Sequence, residues 1–402
     1  MRVFHTSLTI ACLTSAALLP GLAQAEDAPP AVQAFLANVE RQIAIKPSYD
    51  ALKTDGSGNV TITNLTLAKP AEGENPSFTL KTAEVTFTGI TDEGQSLYQV
   101  EKAGFTNTSL EVKGKDVNIT AAIPQASTEG WYIRALSAAP TPAEEMLASP
   151  SFARRIESGK VTFTAEGQSI GIDNIVSTWD GDPRTGSGAF GLNVSNIAIP
   201  ESLLAMMGEG GLLKQLGYTG LNLDLATSGE TKVNGEKMGY SFKVGLTGRD
   251  IGSLSLGAAL DDIPVAAYAA LMKAQTEGKE PDYAALMPQL QGVQVTGASL
   301  RFEDQSIVNK LMPVFAAAQG LDEKTYRASI APTVQLMLLQ LQNEAFAKQA
   351  ADAVTAFFAA PKSLTITAKP PAKLTVSDIS AMDPNKPGES ITKLGLSVTS
   401  ND

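Results

Sequence analysis

The sequence predicts an α+β protein built on an extended antiparallel β-sheet of the meander type, with helices packed on it. Apolar and polar residues alternate with a period of two, most clearly at Leu221–Leu225 and Tyr240–Leu246. Turn sequences such as Asp55-Gly56-Ser57-Gly58 separate the alternating runs, so consecutive strands are expected to pair as neighbours. Thr, Asn and Ser fill the polar positions, which predicts that one face of the sheet is wet. Helical patterns become frequent towards the C-terminus.

The first part of the chain is predicted to contain one helix followed by a long series of strands. Apolar residues recur at helical spacing across Ala31–Ile45, and Pro47 ends the pattern. Helical interruptions are predicted around Pro142–Ile156 and at Pro200–Leu216. Alternating runs predict strands around residues 60–62, 78–80, 85–87, 110–112, 117–119, 161–163, 170–176, 190–194, 221–225, 240–246 and 254–256.

The last part of the chain is predicted to be richer in helices. Short helices are expected at Val265–Ala274 and Tyr283–Leu290, followed by a hairpin of residues 293–295 and 300–302. A helix capped by Asp304 or Ser306 should be kinked at Pro313, because proline removes a backbone donor. Strands are expected at 364–366 and 394–398.

Two apolar helices of this region are the expected cover of the sheet. The first extends to Gly320; Asp322 caps the next segment, and Pro332 should restart a helix that continues to Phe358. Their apolar positions form a candidate apolar ligand face, made of Leu311, Phe315, Val334, Leu338 and Leu341.

The N-terminal segment reads as a secretion signal. Arg2 precedes the mostly apolar stretch Leu8–Leu22, and Ala23-Gln24-Ala25 gives the small-x-small pattern of a cleavage site. Residues 1–25 are therefore expected to be removed after Ala25, which predicts a soluble periplasmic protein. The domains predicted after it are an elongated β-rich domain at 26–297 and a C-terminal helix-pair and strand region at 298–402 that packs on the same sheet. No later window reaches 18 apolar residues, so no transmembrane segment is expected in the mature chain.

Composition excludes several kinds of chemistry. His5 and Cys12 are the only histidine and cysteine, and both precede the expected cleavage site. Histidine-dependent triads, thiol nucleophiles, disulfides and imidazole or thiolate metal sites are therefore not expected, and no cofactor is predicted. A formal net charge of −11 without a basic stripe disfavours nucleic acid as a partner, and it also disfavours electrostatic docking to anionic lipid surfaces.

One polar cluster is a candidate site. Trp179, Asp180, Asp182 and Arg184 lie within six residues of each other in the sequence. Two carboxylates beside an indole could hold a sugar, and paired carboxylates are the acid–base chemistry still open to this chain. The same Asp-, Gly- and Pro-rich residues are also typical of a turn between strands.

A resemblance concerns the last hundred residues. Ser299–Val308, the paired-helix segment after it and Pro361–Ile366 resemble uncharacterised periplasmic proteins of alphaproteobacteria, which in their long β-rich build are similar to AsmA-type envelope proteins. The resemblance covers roughly a quarter of the chain and implies an envelope role without catalytic residues to carry over. No counterpart of the transmembrane anchor typical of AsmA-type proteins is expected in the mature chain.

Together these observations predict a non-enzymatic periplasmic protein of the cell envelope. Its expected partner is an apolar or amphipathic, lipid-like component or an envelope protein. The alternative is a carboxylate-based carbohydrate-active enzyme centred on Trp179, Asp180 and Asp182.

Overall fold

The computed structural model describes residues 28–402, except for 44, 72, 74, 75, 116, 149–151, 207–209 and 277–279. The predicted signal segment, including His5, Cys12 and the cleavage site after Ala25, lies outside the described residues. The fold is α+β with a large antiparallel sheet, and the helices concentrate towards the C-terminus, as the sequence predicted.

The strands follow the alternating runs and are longer than the runs themselves. They are β1 (Ala51–Thr54), β2 (Val60–Lys69), β3 (Ser77–Asp92), β4 (Leu97–Lys113), β5 (Asn118–Arg134), β6 (Ala153–Ser158), β7 (Val161–Ala165), β8 (Gln168–Ile172), β9 (Asn174–Asp182), β10 (Ser187–Pro200), β11 (Gly220–Asn234), β12 (Lys237–Gly248), β13 (Gly252–Pro264), β14 (Gln294–Asp304), β15 (Ser363–Ala368) and β16 (Leu396–Ser400).

The helices of the described residues are mostly short. They are α1 (Pro30–Ile43), α2 (Pro142–Leu147), α3 (Glu201–Met206), α4 (Gly210–Gln215), α5 (Val265–Thr276), α6 (Tyr283–Leu290), α7 (Ile307–Ala318), α8 (Glu323–Leu339), α9 (Glu344–Ala359), α10 (Val376–Ser380) and α11 (Pro387–Leu394). Within the described part of the chain, none of them combines the length and the apolar content needed to cross a membrane.

The chain divides into two compact units. Unit 1 contains the described residues up to Asn196 together with 268–281, and unit 2 contains 197–267 and 282–402. This division begins a hundred residues before the boundary at 297 that the sequence suggested, because β11, β12 and β13 group with the C-terminal strands.

Unit 1 has a closed hydrophobic core between α1 and its sheet, whose strand order is β1-β2-β3-β4-β5-β6-β9-β10, with β7 and β8 off this path. The apolar side of α1 buries Phe35, whose ring lies 5.4 Å from that of Phe87 and 5.5 Å from that of Trp131. Val32 and Val60 are completely buried in the same cluster. The period-3.6 pattern of α1 and the period-two pattern of the strands therefore meet on one apolar surface.

Unit 2 contains the strand order β11-β12-β13-β14-β15-β16 and most of the helices. Val308, Met312 and Phe357 of α7 and α9 form a buried cluster against Phe302 and Leu364 of the sheet. The helices of this unit thus cover the sheet near β14 and β15.

One prediction about strands and turns was wrong in unit 2. Residues 293–295 and 300–302 do not form a hairpin, since β14 continues through Gly297 and pairs with β13 on one side and with β15 on the other. Ala259 pairs with Gly297 and Leu260 pairs with Val295, so the register shifts at Thr296. The strand therefore bulges at this position and does not turn.

The prediction that Pro332 restarts a helix was also wrong. The cap at Asp322, whose carboxylate accepts a hydrogen bond from the Thr325 amide at 3.0 Å, starts α8, and this helix passes through Pro332. The break comes later, where Gln342 is left-handed and Asn343 caps α9 by accepting from the Phe346 amide. The side-chain caps at Asp322 and Asn343 therefore determine where the two helices begin, and the interior Pro332 does not.

The first predicted helical interruption is in part a strand. Of the described residues around 142–156, those of α2 are helical, and Ala153–Ser158 forms β6, paired with β5 and β9. The described residues of 200–216 include the short helices α3 and α4, in agreement with the prediction. In the C-terminal part, α10 and α11 were not predicted, although Thr375 and Asp378 form a capping box at the start of α10.

Candidate functional site

The two faces of the unit 2 sheet differ in polarity, and most of the charged strand residues lie on one of them. Leu221, Leu223 and Leu225 of β11 lie on one face, while Asn222 and Asp224 lie on the other. Strand register extends this separation across the sheet, because directly paired residues lie on the same face. One row joins Leu225, Leu246, Leu254, Phe302 and Leu364, and the next joins Val244, Leu256, Leu300, Ile366 and Val398.

The apolar face of β11–β15, which we call the open face, is only partly covered. Its side chains at Leu246, Leu254, Leu256, Leu300 and Ile366 are each 40–50% exposed. They occupy adjacent positions on four neighbouring strands, so their exposed surfaces form one patch. A large contiguous apolar patch on a folded protein often serves for interaction or ligand binding.

The open face continues beneath the helices. Val398, at the end of the second row, is buried against Ala350 and Ala353 of α9. Phe302 and Leu364, in the first row, contact the cluster of α7 and α9. The same sheet surface is therefore a packed core near β15 and β16 and an uncovered apolar surface near β13.

The middle of the open face also carries two aromatic side chains. The rings of Tyr240 and Phe242 on β12 lie 5.8 Å apart. Burial raises the pKa of the Tyr240 hydroxyl, so this group is neutral at neutral pH. No charged side chain occurs in the two leucine rows of the described strands. The surface can therefore accommodate hydrocarbon, and it has no charged group to hold a sugar or a phosphate.

The opposite face of the same strands carries the charges. Arg301 of β14 donates to the Asp402 carboxylate at 2.7 Å and to the Glu303 carboxylate at 2.8 Å. These contacts and the Ser363 hydroxyl, which donates to Asp402 at 3.0 Å, lie on the polar side of β14 and β15. The Arg301 guanidinium lowers the pKa of Asp402 to about 2, so the carboxylate is ionised at all ordinary pH values. This polar face agrees with the predicted one-sided sheet.

The five residues predicted to form a ligand face on the helices differ in how far they are buried. Leu311 is half-buried on α7, whereas Phe315 on the same helix is more exposed. Val334 and Leu341 are half-buried, and Leu338 packs against the cluster that contains Val398. Thus one of these five residues, Leu338, contacts the cluster that continues the open face.

The sequence does not single out the exposed leucines of the open face or the exposed apolar residues of α8. The leucines of the open face belong to strands that were predicted, but a strand pattern does not tell whether a helix covers the strand. On α8, Leu336, Met337 and Leu339 are more exposed than Val334 and Leu338. Helical spacing groups these residues correctly but cannot show which side of the helix faces the sheet.

A groove of about 450 Å³ lies between α7, α8 and α9. Its polar lining includes Arg327, which donates to the Glu323 carboxylate, the Phe358 carbonyl and the Asn309 side chain, each at 2.9 Å. Two of these contacts join α8 to α7 and α9, while the contact with Glu323 lies within α8. The groove is thus a feature of helix packing with mixed polar and apolar walls.

The polar cluster of the β9–β10 hairpin is arranged as a turn. The Asp182 carboxylate accepts hydrogen bonds from the Arg184 amide at 2.9 Å and from the Thr185 hydroxyl at 3.3 Å, while Arg184 donates to the Glu93 carbonyl at 3.0 Å. Trp179 is buried, and its ring lies 4.8 Å from that of Phe152.

The neighbouring carboxylate is separated from the indole. Asp180 follows Trp179 in the strand and is exposed on the opposite face of β9. The structure therefore brings Asp182 and Arg184 together but does not place the Trp179 ring beside the carboxylate of Asp180.

Comparison with known families concerns the same part of the chain as the open face. Residues 245–401 match the model of a family described as "Uncharacterized protein". The match begins within β12 and includes β13–β16 and α7–α9, which form most of the open face and its cover. It agrees with the resemblance of the C-terminal residues to a family of unknown function. The search among curated proteins gave no match.

Proposed function

We propose that this protein is a non-catalytic periplasmic protein of the cell envelope that binds a lipid through the open face of unit 2. The acyl chain would lie across Leu254, Leu256 and Leu300, and the polar face of the sheet would remain in water. The observation that carries the proposal is the patch of five aliphatic side chains, each 40–50% exposed, within leucine rows that carry no charged residue.

Burial of this patch would supply a substantial binding free energy. Complete burial of a large aliphatic side chain contributes about 1.5–3 kcal/mol. With 40–50% of each side chain still exposed, covering all five would contribute roughly 3–7 kcal/mol before the entropic cost of binding. This range suits reversible binding of one hydrocarbon chain. A sugar or a phosphate would gain little here, since neither forms favourable contacts with aliphatic side chains.

The carbohydrate-active alternative receives less support from the geometry. Its indole is buried against Phe152, and one of its carboxylates, Asp182, holds the turn of the β9–β10 hairpin. An Asp180→Asn, Asp182→Asn double variant tests it directly. A loss of an envelope phenotype with unchanged lipid content would favour the alternative over lipid binding.

The lipid proposal is tested by mass spectrometry of the protein purified from its native envelope. The wild type is expected to carry enriched lipid, and a Leu256→Ser, Leu300→Ser variant is expected to lose it, because these residues are direct cross-strand neighbours on the open face. A Tyr283→Ser, Met287→Ser variant is the matched control, since both residues are exposed apolar side chains of α6, outside the open face. Wild-type protein without enriched lipid, or equal lipid in both variants, would contradict the proposal.

The proposed compartment is tested separately. Cell fractionation is expected to find the chain in the periplasmic fraction, with Glu26 as its first residue by N-terminal sequencing. An intact N-terminus in the cytosolic fraction would contradict export.

A further inference from the structure

Helix α8 differs from the other long helices of unit 2 because none of its residues is buried. Its last turn exposes three large apolar side chains, Leu336 by 68%, Met337 by 65% and Leu339 by 56%. We call these three residues the α8 tip. Leu336 and Leu339 are three positions apart and therefore lie on one side of the helix, with Met337 beside them.

The α8 tip lies in a segment without charge. No Asp, Glu, Lys or Arg occurs between Arg327 and Glu344, and the polar residues of the segment are neutral. Insertion into the apolar part of a bilayer requires this, because a charged side chain there is costly.

The α8 tip is also connected to the open face by packed apolar side chains. Leu338, between Met337 and Leu339, packs with α9 against Val398 of β16. Val398 pairs with Ile366, and Ile366 pairs with Leu300 of the open face. Because Val398 is buried, these contacts are a packed core that fixes α8 to the sheet carrying the open face.

We propose that the α8 tip is a membrane contact, through which Leu336, Met337 and Leu339 insert into the outer part of a lipid bilayer. The inference rests on the proposed function, since it names a bilayer as the source of the lipid that the open face would bind. The net charge of −11 opposes approach to an anionic surface. The bilayer that the α8 tip fits is therefore a zwitterionic one, bound through apolar contact.

Flotation of the purified protein with phosphatidylcholine vesicles tests the contact. The wild type and the Tyr283→Ser, Met287→Ser control are expected to float with the vesicles, whereas a Leu336→Ser, Met337→Ser, Leu339→Ser variant should float at least tenfold less. Circular dichroism should show the same thermal transition for all three proteins, because the substituted side chains are exposed. Equal flotation of the triple variant and the wild type, or no flotation of the wild type, would overturn the inference.

Two further measurements separate the alternatives. Sedimentation without lipid should show one species for the wild type and the triple variant; a wild-type dimer that the triple substitution dissociates would assign the α8 tip to a second copy and overturn the membrane contact. Binding of a fluorescent fatty acid without vesicles should be unchanged in the triple variant. Fatty-acid binding without wild-type flotation overturns this inference alone, whereas flotation without fatty-acid binding supports the contact and overturns the proposed function.

Discussion

Truncation of two open-face leucines should lower the free energy of lipid binding and the free energy of unfolding by similar, moderate amounts. In Leu256→Ala, Leu300→Ala, each substitution removes three carbons, which are worth about 0.8 kcal/mol each when fully transferred from water. Because the side chains are 49% and 41% exposed, about half of this free energy stabilises the fold and the other half is available to a ligand. The double variant should lose about 2 kcal/mol of unfolding free energy and about 2 kcal/mol of binding free energy, a roughly 30-fold weaker affinity.

The two quantities are measured by urea unfolding and by titration with a fluorescent fatty acid. Val398→Ala is the matched control, because Val398 lies in the same row of the sheet but is buried under α9. It should lower the unfolding free energy by about 2 kcal/mol through lost burial and a cavity, and leave the fatty-acid affinity unchanged.

A different pattern of losses would contradict the assignment of these leucines to an exposed face. If the double leucine variant lost 4 kcal/mol or more of stability, as fully buried leucines do when truncated, and kept its affinity within threefold, these leucines would be core residues. An equal affinity loss in Val398→Ala would show that binding follows overall stability and not the open face.

Three further predictions concern other parts of the molecule. The pKa of Asp402 is lowered from 3.8 to about 2 by the Arg301 guanidinium, so the stability that its ionised form supplies is present above about pH 4 and is lost as the pH falls towards 2. Asp402→Asn should flatten the decline of the thermal midpoint over that range and cost no more than about 1 kcal/mol at pH 7, since the pair is solvent-exposed; an unchanged pH profile would contradict this. Phe35→Ala should cost about 3–5 kcal/mol in urea unfolding and the exposed Ala37→Ser close to nothing, and equal losses would show that α1 does not close the core. Asp182→Ala should lower the unfolding free energy by about 1 kcal/mol by removing the acceptor of the β9–β10 turn, and a neutral result would remove the structural role of this carboxylate.

The sequence predicts which side chains of a strand share a face, but it does not predict whether a helix covers that face. The alternation at Leu221–Leu225 correctly predicts which side chains share a face, because successive residues of a strand point in opposite directions. The same alternation at Leu254 and Leu256 cannot show that these leucines remain half-exposed, since their exposure depends on where α7–α9 end. Coverage is set by helix packing, which involves residues a hundred positions away.

The candidate polar site contained a signal that the sequence analysis did not use. Trp179 and Asp180 are consecutive residues in a run that reads as a strand, so alternation alone places them on opposite faces. The turn function of Asp182 was foreseen from its Gly and Pro neighbours. The helix boundaries near Pro332 were missed for another reason, because the side-chain caps at Asp322 and Asn343 determine where α8 and α9 begin.

Both units contain strands with alternating apolar residues, but helices cover more of the apolar face in unit 1 than in unit 2. In unit 1, α1 lies on the apolar face, and Ile62, Val85 and Phe87 are completely buried. In unit 2, a face of equal apolar character leaves Leu254 and Leu256 half-exposed, although the chain contains long helices that cover its other end. An uncovered apolar face of this size lacks several kcal/mol of stabilising free energy that burial would supply, and it favours aggregation. A lipid that occupies the open face would recover that free energy, which is why we propose lipid binding at this surface and not sugar binding at the polar turn of unit 1.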